Sequence, residues 1–199
     1  VGLRSKSFGS LTMGRQWNVL FDTVVSTYAS FPYSPLMDAY KPEIGLSMGS
    51  RNSNMIKYVG EIGSVRFGLQ YAFDEKSTTD SKAAGGYLRY AANGFAVGGA
   101  YLYTKMPGGT EYDAYTAGGS YRTGPWYFSA GYGANKRKND INATSAAISN
   151  AYWNGETNGG FLPGLPTDLN NYSKKRELFQ IGVGYQVNPQ LNIGMHYYH

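Results

Sequence analysis

The stretch SVRFGLQYAFDE, residues 64–75, alternates apolar and polar side chains along almost its whole length. Its apolar face carries Val65, Phe67, Leu69, Tyr71 and Phe73. Its other face carries Arg66, Gly68, Gln70, Ala72 and Asp74. Side chains of a β-strand point alternately to two faces, so this stretch predicts a strand with one apolar and one polar surface. One such strand fits a soluble sheet as well as a membrane barrel, and the rest of the chain decides between them.

The composition excludes a helical membrane protein and is compatible with a membrane barrel. Glycine (27) and tyrosine (19) are abundant among the 199 residues, cysteine is absent, and the hydrophobic 42% is spread thinly along the chain. No stretch approaches the ~18 consecutive apolar residues that a membrane helix needs, whereas a transmembrane strand needs only ~9–11 residues with every second one apolar. The net charge of +5 is compatible with nucleic acid, anionic lipid or anionic solutes as partners.

Period-two patterns and turn residues predict about ten strands, separated by connections of two kinds. The predicted strands are 1–7, 10–17, 52–60, 64–74, 83–92, 95–105, 112–122, 126–137, 175–187 and 190–199. Short connections with Gly or Pro alternate strictly with long ones, which are 17–51, 75–82, 106–111 and 138–174. A Greek-key sandwich mixes connection lengths, whereas hairpins that run up and down through a bilayer produce this alternation.

Aromatic residues near the predicted strand ends support the membrane interpretation. They are Trp17, Tyr71, Phe73, Tyr101, Tyr103, Trp126 and Tyr185. Aromatic side chains in these places form girdles at the two membrane interfaces. The sequence therefore predicts an all-β fold, a transmembrane antiparallel up-and-down β-barrel, in which Phe67 and Leu69 face lipid and Arg66 and Gln70 face a water-filled lumen.

Two segments carry a resemblance to a known family. Residues 8–16 (FGSLTMGRQ), a long connection, and residues 50–76 (SRNSNMIKYVGEIGSVRFGLQYAFDEK) together resemble the Gram-negative general porins. The path from MGRQWNVLFD through PEIG to RNSN is similar to the stretch that enters, forms and leaves the third extracellular loop, which folds into the pore. The resemblance implies a closed barrel of sixteen strands in the bacterial outer membrane, assembled as a homotrimer and passing small hydrophilic solutes by passive diffusion.

The resemblance also sets the expected organisation of the chain. Because the chain supplies about ten strands and ends in MHYYH, we expect an internal portion of a porin, with strands missing on both sides. Residues 1–199 would form a single porin-type domain, with an inward-folding constriction loop at 17–51 and a long extracellular loop at 138–174. An intact barrel of ten strands is the alternative.

In porins the narrowest part of the pore sets arginines of the wall against acidic groups of the inward loop. Candidates for the basic wall are Arg15 and Arg51, by motif match, and Arg66 and Arg89, placed inward by strand parity. Candidates for the acidic loop are Glu43 in KPEIG, by its match to the loop tip, and Asp38 and Asp22. Arginine suits such a wall because its charge is permanent and its planar fork contacts anions. Since Lys and Arg outnumber Asp and Glu by 18 to 13, we expect a mild anion preference.

We expect no catalytic residue, metal site or cofactor. Cysteine is absent, and the two histidines, His196 and His199, fall on opposite faces of one predicted strand. The expected partners are small hydrophilic solutes and anions, outer-membrane lipid and lipopolysaccharide, and further copies of the chain, but not nucleic acid. Two alternatives stay open: a small ten-stranded outer-membrane barrel that acts as an adhesin or surface enzyme through its outer loops, and a soluble β-sandwich binding module.

Overall fold

The computed structural model describes residues 1–29, 51–74, 82–105, 109, 111–139 and 174–199. Within these residues the chain forms ten β-strands and one α-helix. The elements are β1 (Gly2–Ser5), β2 (Gly9–Trp17), α1 (Val19–Thr27), β3 (Arg51–Ile62), β4 (Val65–Ala72), β5 (Lys82–Ala92), β6 (Phe95–Lys105), β7 (Glu111–Thr123), β8 (Trp126–Arg137), β9 (Lys175–Asn188) and β10 (Leu191–Tyr198). All ten predicted strands are confirmed, and their ends differ from the prediction by at most two residues.

The strands form one sheet in the order of the chain, and each strand is antiparallel to the next. Short turns therefore lie at one end of the sheet and the long connections at the other, as the alternation predicts. In the turn between β5 and β6, Asn93 and Gly94 both have positive φ, 51° and 79°. Positive φ at both residues is the geometry of a two-residue hairpin turn whose twist matches that of the flanking strands.

The two outermost described strands do not meet. β1 is hydrogen-bonded only to β2 and β10 only to β9, so the sheet of the described residues is open. The alternative of an intact barrel closed by these ten strands is not the arrangement that the structure shows.

The two faces of the sheet differ as predicted. On β4, Leu69 is 60% exposed, whereas its neighbour Gln70 on the opposite face is only 5% exposed. Aromatic pairs lie at both ends of the apolar outer face: Trp126 and Tyr185 pack edge to face at 4.7 Å near the short turns, and Tyr71 and Phe73 at 4.8 Å near the long connections. This is the side-chain distribution of a lipid-facing barrel wall with interfacial girdles.

A charge in the middle of the apolar face should destabilise the protein. Ile181 lies halfway along β9 on the outer face and is 50% exposed. We expect Ile181→Lys to lower the free energy of unfolding in lipid vesicles by about 2–4 kcal/mol, because the ammonium group would lie in hydrocarbon. Denaturant titration of the vesicle-inserted protein measures this loss.

The matched control is Gln186→Lys, five residues further along the same strand. Gln186 is exposed on the opposite face, opposite Asn192 of β10. We expect this lysine to change the free energy of unfolding by less than about 0.5 kcal/mol. Equal losses for the two variants would contradict the assignment of the faces.

The helix α1 lies within the segment that we predicted as a loop, and the sequence analysis did not predict it. Asn18 caps its first turn, because its Oδ1 accepts a hydrogen bond of 2.9 Å from the backbone N–H of Phe21. None of the helical segments in the described residues has the length and apolarity needed to cross a membrane.

The largest core lies between α1 and the inner face of the sheet. Val19 and Leu20 of the helix are fully buried against Met55, Leu102 and Ala114 of the wall. The helix contacts β4, β5, β6 and β7. Burial of its apolar side thus holds the helix inside the curve of the sheet, where the predicted constriction loop would enter a pore.

Candidate functional site

The inner face of the sheet carries six of the eight arginines of the described strands. Cross-strand registers place these arginines on the same face as the buried residues that contact α1; they are Arg4, Arg66, Arg89, Arg122, Arg137 and Arg176. The lysines of β5 to β9 alternate onto the outer face, near the long connections; they are Lys82, Lys105, Lys136 and Lys175. In β5 to β9, strand parity therefore places the arginines on the inner face and the lysines on the outer face.

The helix α1 brings a carboxylate against the wall. Asp22 of α1 forms an ion pair of 2.7 Å with Lys57 of β3, and the same Lys57 Nζ donates a hydrogen bond of 2.8 Å to the carbonyl of Trp17. Lys57 is a buried residue, 8% exposed. Burial raises the pKa of the Asp22 carboxyl above its ordinary value, and the Lys57 ammonium opposes that shift. The pair fixes the start of the helix to the wall through β3.

Three charged residues form a row across the inner face of β3, β4 and β5. Glu61 lies directly opposite Arg66, and Arg66 lies directly opposite Arg89. Arg66 Nε lies 3.5 Å from the Glu61 carboxylate and donates a hydrogen bond of 3.1 Å to the hydroxyl of Tyr87. Arg89 Nε donates a hydrogen bond of 3.0 Å to the carbonyl of Ser26, at the end of α1. The row therefore presents two guanidinium groups next to the inward helix.

Wall side chains bind the carbonyls at the C-terminal end of α1. Gln180 of β9, itself 1% exposed, donates to the carbonyl of Tyr28 at 2.8 Å. Ser120 of β7 donates to the carbonyl of Thr27 at 2.5 Å. Tyr127 of β8 donates to the carbonyl of Ala29 at 3.4 Å. Because the last carbonyls of a helix have no partner within the helix, these donors both satisfy them and anchor the segment to the wall.

A trough of glycines receives the side chain of Tyr28. Gly118 of β7 and Gly131 of β8 lie directly opposite each other and beneath the ring, and Gly98 of β6 continues the row beside Thr27. A Cβ atom at Gly118 would lie 2.3 Å from the Tyr28 ring, and one at Gly131 would lie 2.1 Å from it. The Tyr28 hydroxyl is hydrogen-bonded to the Thr116 hydroxyl, and Tyr28 is 1% exposed. Only residues without a side chain leave room for this ring.

The structure places the predicted site residues in three groups. Asp22, Arg66 and Arg89 lie on or against the inner face, as described above. Arg15 and Arg51 lie at the end of β2 and the start of β3, the strands that flank the segment 17–51. Arg15 donates to the Ser53 hydroxyl at 3.3 Å, and the Arg51 guanidinium lies 3.9 Å from the centre of the Trp17 ring. The remaining two, Glu43 and Asp38, lie outside the described residues, as do most of the segments 17–51 and 138–174.

Sequence reasoning missed Lys57 and Arg122 of the inner face, and Tyr28 at the end of α1. Strand parity extended along β3 and β7 could have found Lys57 and Arg122, because each alternates with lipid-facing neighbours. Asn18 as a cap and apolar residues four apart at Leu20 and Val24 could have indicated the helix. Nothing in the sequence pairs Tyr28 with glycines about 90 and 100 residues further along the chain.

Comparisons with known proteins identify relatives of the whole described sheet. A family model described as Gram-negative porin matches residues 1–199. Comparison with curated proteins gives no match. Among solved structures, the anion-selective porin from Comamonas acidovorans superposes with a TM-score of 0.69 at 22% identity, over 98% of this chain and 54% of that chain. OmpT, an outer membrane protein of Vibrio cholerae solved in a trimer form, gives a TM-score of 0.46 at 15% identity, over 100% of this chain and 68% of that one. The chain thus spans about half the length of the Comamonas acidovorans protein.

Proposed function

The chain belongs to the Gram-negative porin family and is an outer-membrane β-barrel protein, and from this premise we propose that it forms a water-filled channel. Ions and small hydrophilic solutes would diffuse through it passively, without covalent chemistry, along the inner face of the sheet and past α1. The observation that carries this proposal is the charged inner face, because arginines of six strands lie on the same face of the sheet that holds the helix α1. Arg66, Arg89 and Asp22 would border the narrow part, with Arg15, Arg51, Glu43 and Asp38 as further candidates.

We propose a mild preference for anions. In the described strands the inner face carries its arginines together with Lys57, and the carboxylates set against them are Asp22 and Glu61. A pore with an excess of fixed positive charge attracts anions and raises their local concentration. The porin of the same fold from Comamonas acidovorans is anion-selective, and we propose the same sign here because of the charges on this chain's own inner face.

The first experiment measures single-channel current and zero-current potential. Detergent-purified protein is added to a planar bilayer under a tenfold salt gradient. Discrete conductance steps support the channel, and a zero-current potential of the anion-favouring sign supports the selectivity. A well-folded sample without conductance would overturn the channel, and a potential favouring cations would overturn the anion preference alone.

We expect the anion preference to increase when the pH falls, beginning with Asp22. Because burial raises the pKa of this carboxyl, it loses its negative charge at a higher pH than an ordinary aspartate does. The neighbouring Lys57 charge is then uncompensated. The Asp22→Asn variant should show the stronger anion preference already at pH 7. The zero-current potential of the wild type should change with pH at values above the pKa of an ordinary aspartate, and that of the variant should not change there. A pH profile identical in both proteins would contradict this role of Asp22.

We also propose that the protein assembles as a homotrimer and binds lipopolysaccharide. The lysines of the outer face support the second proposal, because Lys82 lies directly opposite Lys105 and Lys136 directly opposite Lys175, all at the end of the sheet with the long connections. Phosphate groups of an anionic glycolipid pair with such ammonium groups. We expect the double variant Lys136→Gln, Lys175→Gln to retain less lipopolysaccharide after detergent extraction, and equal retention would contradict the proposal.

A further inference from the structure

A cavity of about 390 Å³ lies between the C-terminal end of α1 and the wall of the sheet. The end of the helix, the turn between β5 and β6, and inner-face residues of β5 to β8 line it. The cavity lies at the short-turn end of the sheet and shares Arg89 with the row of Glu61, Arg66 and Arg89. It therefore adjoins the narrow part of the proposed pore.

Two arginines line this cavity, and its lining residues include no carboxylate. Arg89 uses Nε to bind the carbonyl of Ser26, which leaves the two terminal amino groups of its fork for another acceptor. Arg122 lies with its guanidinium 4.6 Å from the centre of the Tyr127 ring. The Tyr127 hydroxyl in turn donates to the carbonyl of Ala29, so the ring under Arg122 is fixed to the end of the helix.

The carboxylates of α1 and of the arginine row are engaged elsewhere. Asp22 pairs with Lys57 at 2.7 Å, and Glu61 lies 3.5 Å from Arg66. Within the part of the chain that the structure describes, no ion pair therefore compensates the charges of Arg89 and Arg122. Two guanidinium groups at one cavity without a carboxylate attract a ligand that supplies the negative charge.

We propose that this cavity binds a small oxyanion, through carboxylate or phosphate oxygens, between Arg89 and Arg122. The planar fork of arginine donates two parallel hydrogen bonds to either kind of group, whereas a spherical halide accepts them less specifically. The inference rests on the proposed function, because the oxyanion would reach the cavity from the channel. Occupied, the site adds negative charge beside α1 and reduces the passage of chloride.

The test combines calorimetry with conductance. Inorganic phosphate, and acetate in a parallel series, are titrated into the detergent-folded protein, and chloride conductance is measured in bilayers at increasing concentrations of each. We expect saturable binding and a saturable decrease in chloride conductance, with Arg122→Gln raising the half-saturating concentration at least about tenfold through the loss of a charged contact. Arg122→Lys keeps the charge but loses the planar fork, so its half-saturating concentration should lie between those of the wild type and Arg122→Gln.

The control is Lys6→Gln, which removes one positive charge from the exposed turn between β1 and β2. It should leave binding of both anions unchanged. Binding that is equal in Arg122→Gln and wild type, or absent from the wild type, overturns the site even if the protein conducts chloride. A protein that binds phosphate but conducts no ions overturns the channel instead, so the two failures are distinguishable. A response to acetate alone or phosphate alone assigns the oxyanion to that class.

Discussion

Replacing Gly131 by alanine should release the inward segment from the wall and increase the conductance of the channel. The Cβ of the new residue would lie 2.1 Å from a carbon of the Tyr28 ring, far inside van der Waals contact. The ring cannot remain where it is, because it is buried between the helix and the wall and its hydroxyl is held at Thr116. We expect a loss of about 1–3 kcal/mol in the free energy of unfolding from overpacking, together with larger and noisier single-channel currents.

Gly184→Ala is the matched control for this prediction. Gly184 also lies on the inner face, but the nearest atoms to a new Cβ there are 3.6 Å away or more, which is ordinary contact. This variant should conduct and unfold as the wild type does. The comparison separates the effect of a displaced ring from the general effect of replacing a glycine in a strand.

A double-mutant cycle tests whether Tyr28 is the cause. In a Tyr28→Ala background no ring occupies the trough, so the additional change Gly131→Ala should have almost no further effect on conductance or stability. Unchanged conductance in Gly131→Ala, or additive effects of the two substitutions, would show that the glycine trough does not position the inward segment.

The second large effect is expected from reversing the charges of the arginine row. In the double variant Arg66→Glu, Arg89→Glu, the row across β3, β4 and β5 would carry three carboxylates, including Glu61. Cations would then be attracted to the wall beside α1, where the wild type attracts anions. We expect the zero-current potential under a tenfold salt gradient to move strongly toward the cation-favouring sign.

Single variants and a distant charge reversal calibrate this result. Arg66→Glu alone should shift the zero-current potential by about half as much as the double variant does. Lys6→Glu, in the exposed turn between β1 and β2, should shift it little. Because the replaced Arg89 also releases the carbonyl of Ser26, conductance has to be compared with that of Arg89→Gln, which loses the same anchor without reversing the charge. A zero-current potential equal to that of the wild type would exclude the row from the narrow part of the pore.

The strands were predictable because their signal is local. Alternation such as that of Leu69 and Gln70 needs no information from distant residues, since a strand exposes neighbouring side chains to opposite faces. The turn at Asn93 and Gly94 is equally local, because both residues adopt positive φ at low cost. The up-and-down order then follows from the lengths of the connections.

The helix α1 was missed because two local signals compete in one short segment. Five of its nine residues are β-branched: Val19, Thr23, Val24, Val25 and Thr27. Such a composition favours strands in isolation. The helix forms because the Asn18 cap and burial of its apolar side against β4 to β7 outweigh that preference.

The alternation of residues is enough to predict the sheet, its two faces, and the inward position of Arg66 and Arg89, because a period of two residues fixes which side chains share a face. Which groups of the inner face meet depends on the folded chain as a whole. The Asp22–Lys57 pair spans 35 residues of sequence, and the hydrogen bond from Gln180 to the end of α1 spans 152. Contacts at such separations depend on how far the sheet curves around the helix and on the register of every strand between the two partners. A local sequence pattern specifies neither the curvature of the sheet nor the combined register of these strands.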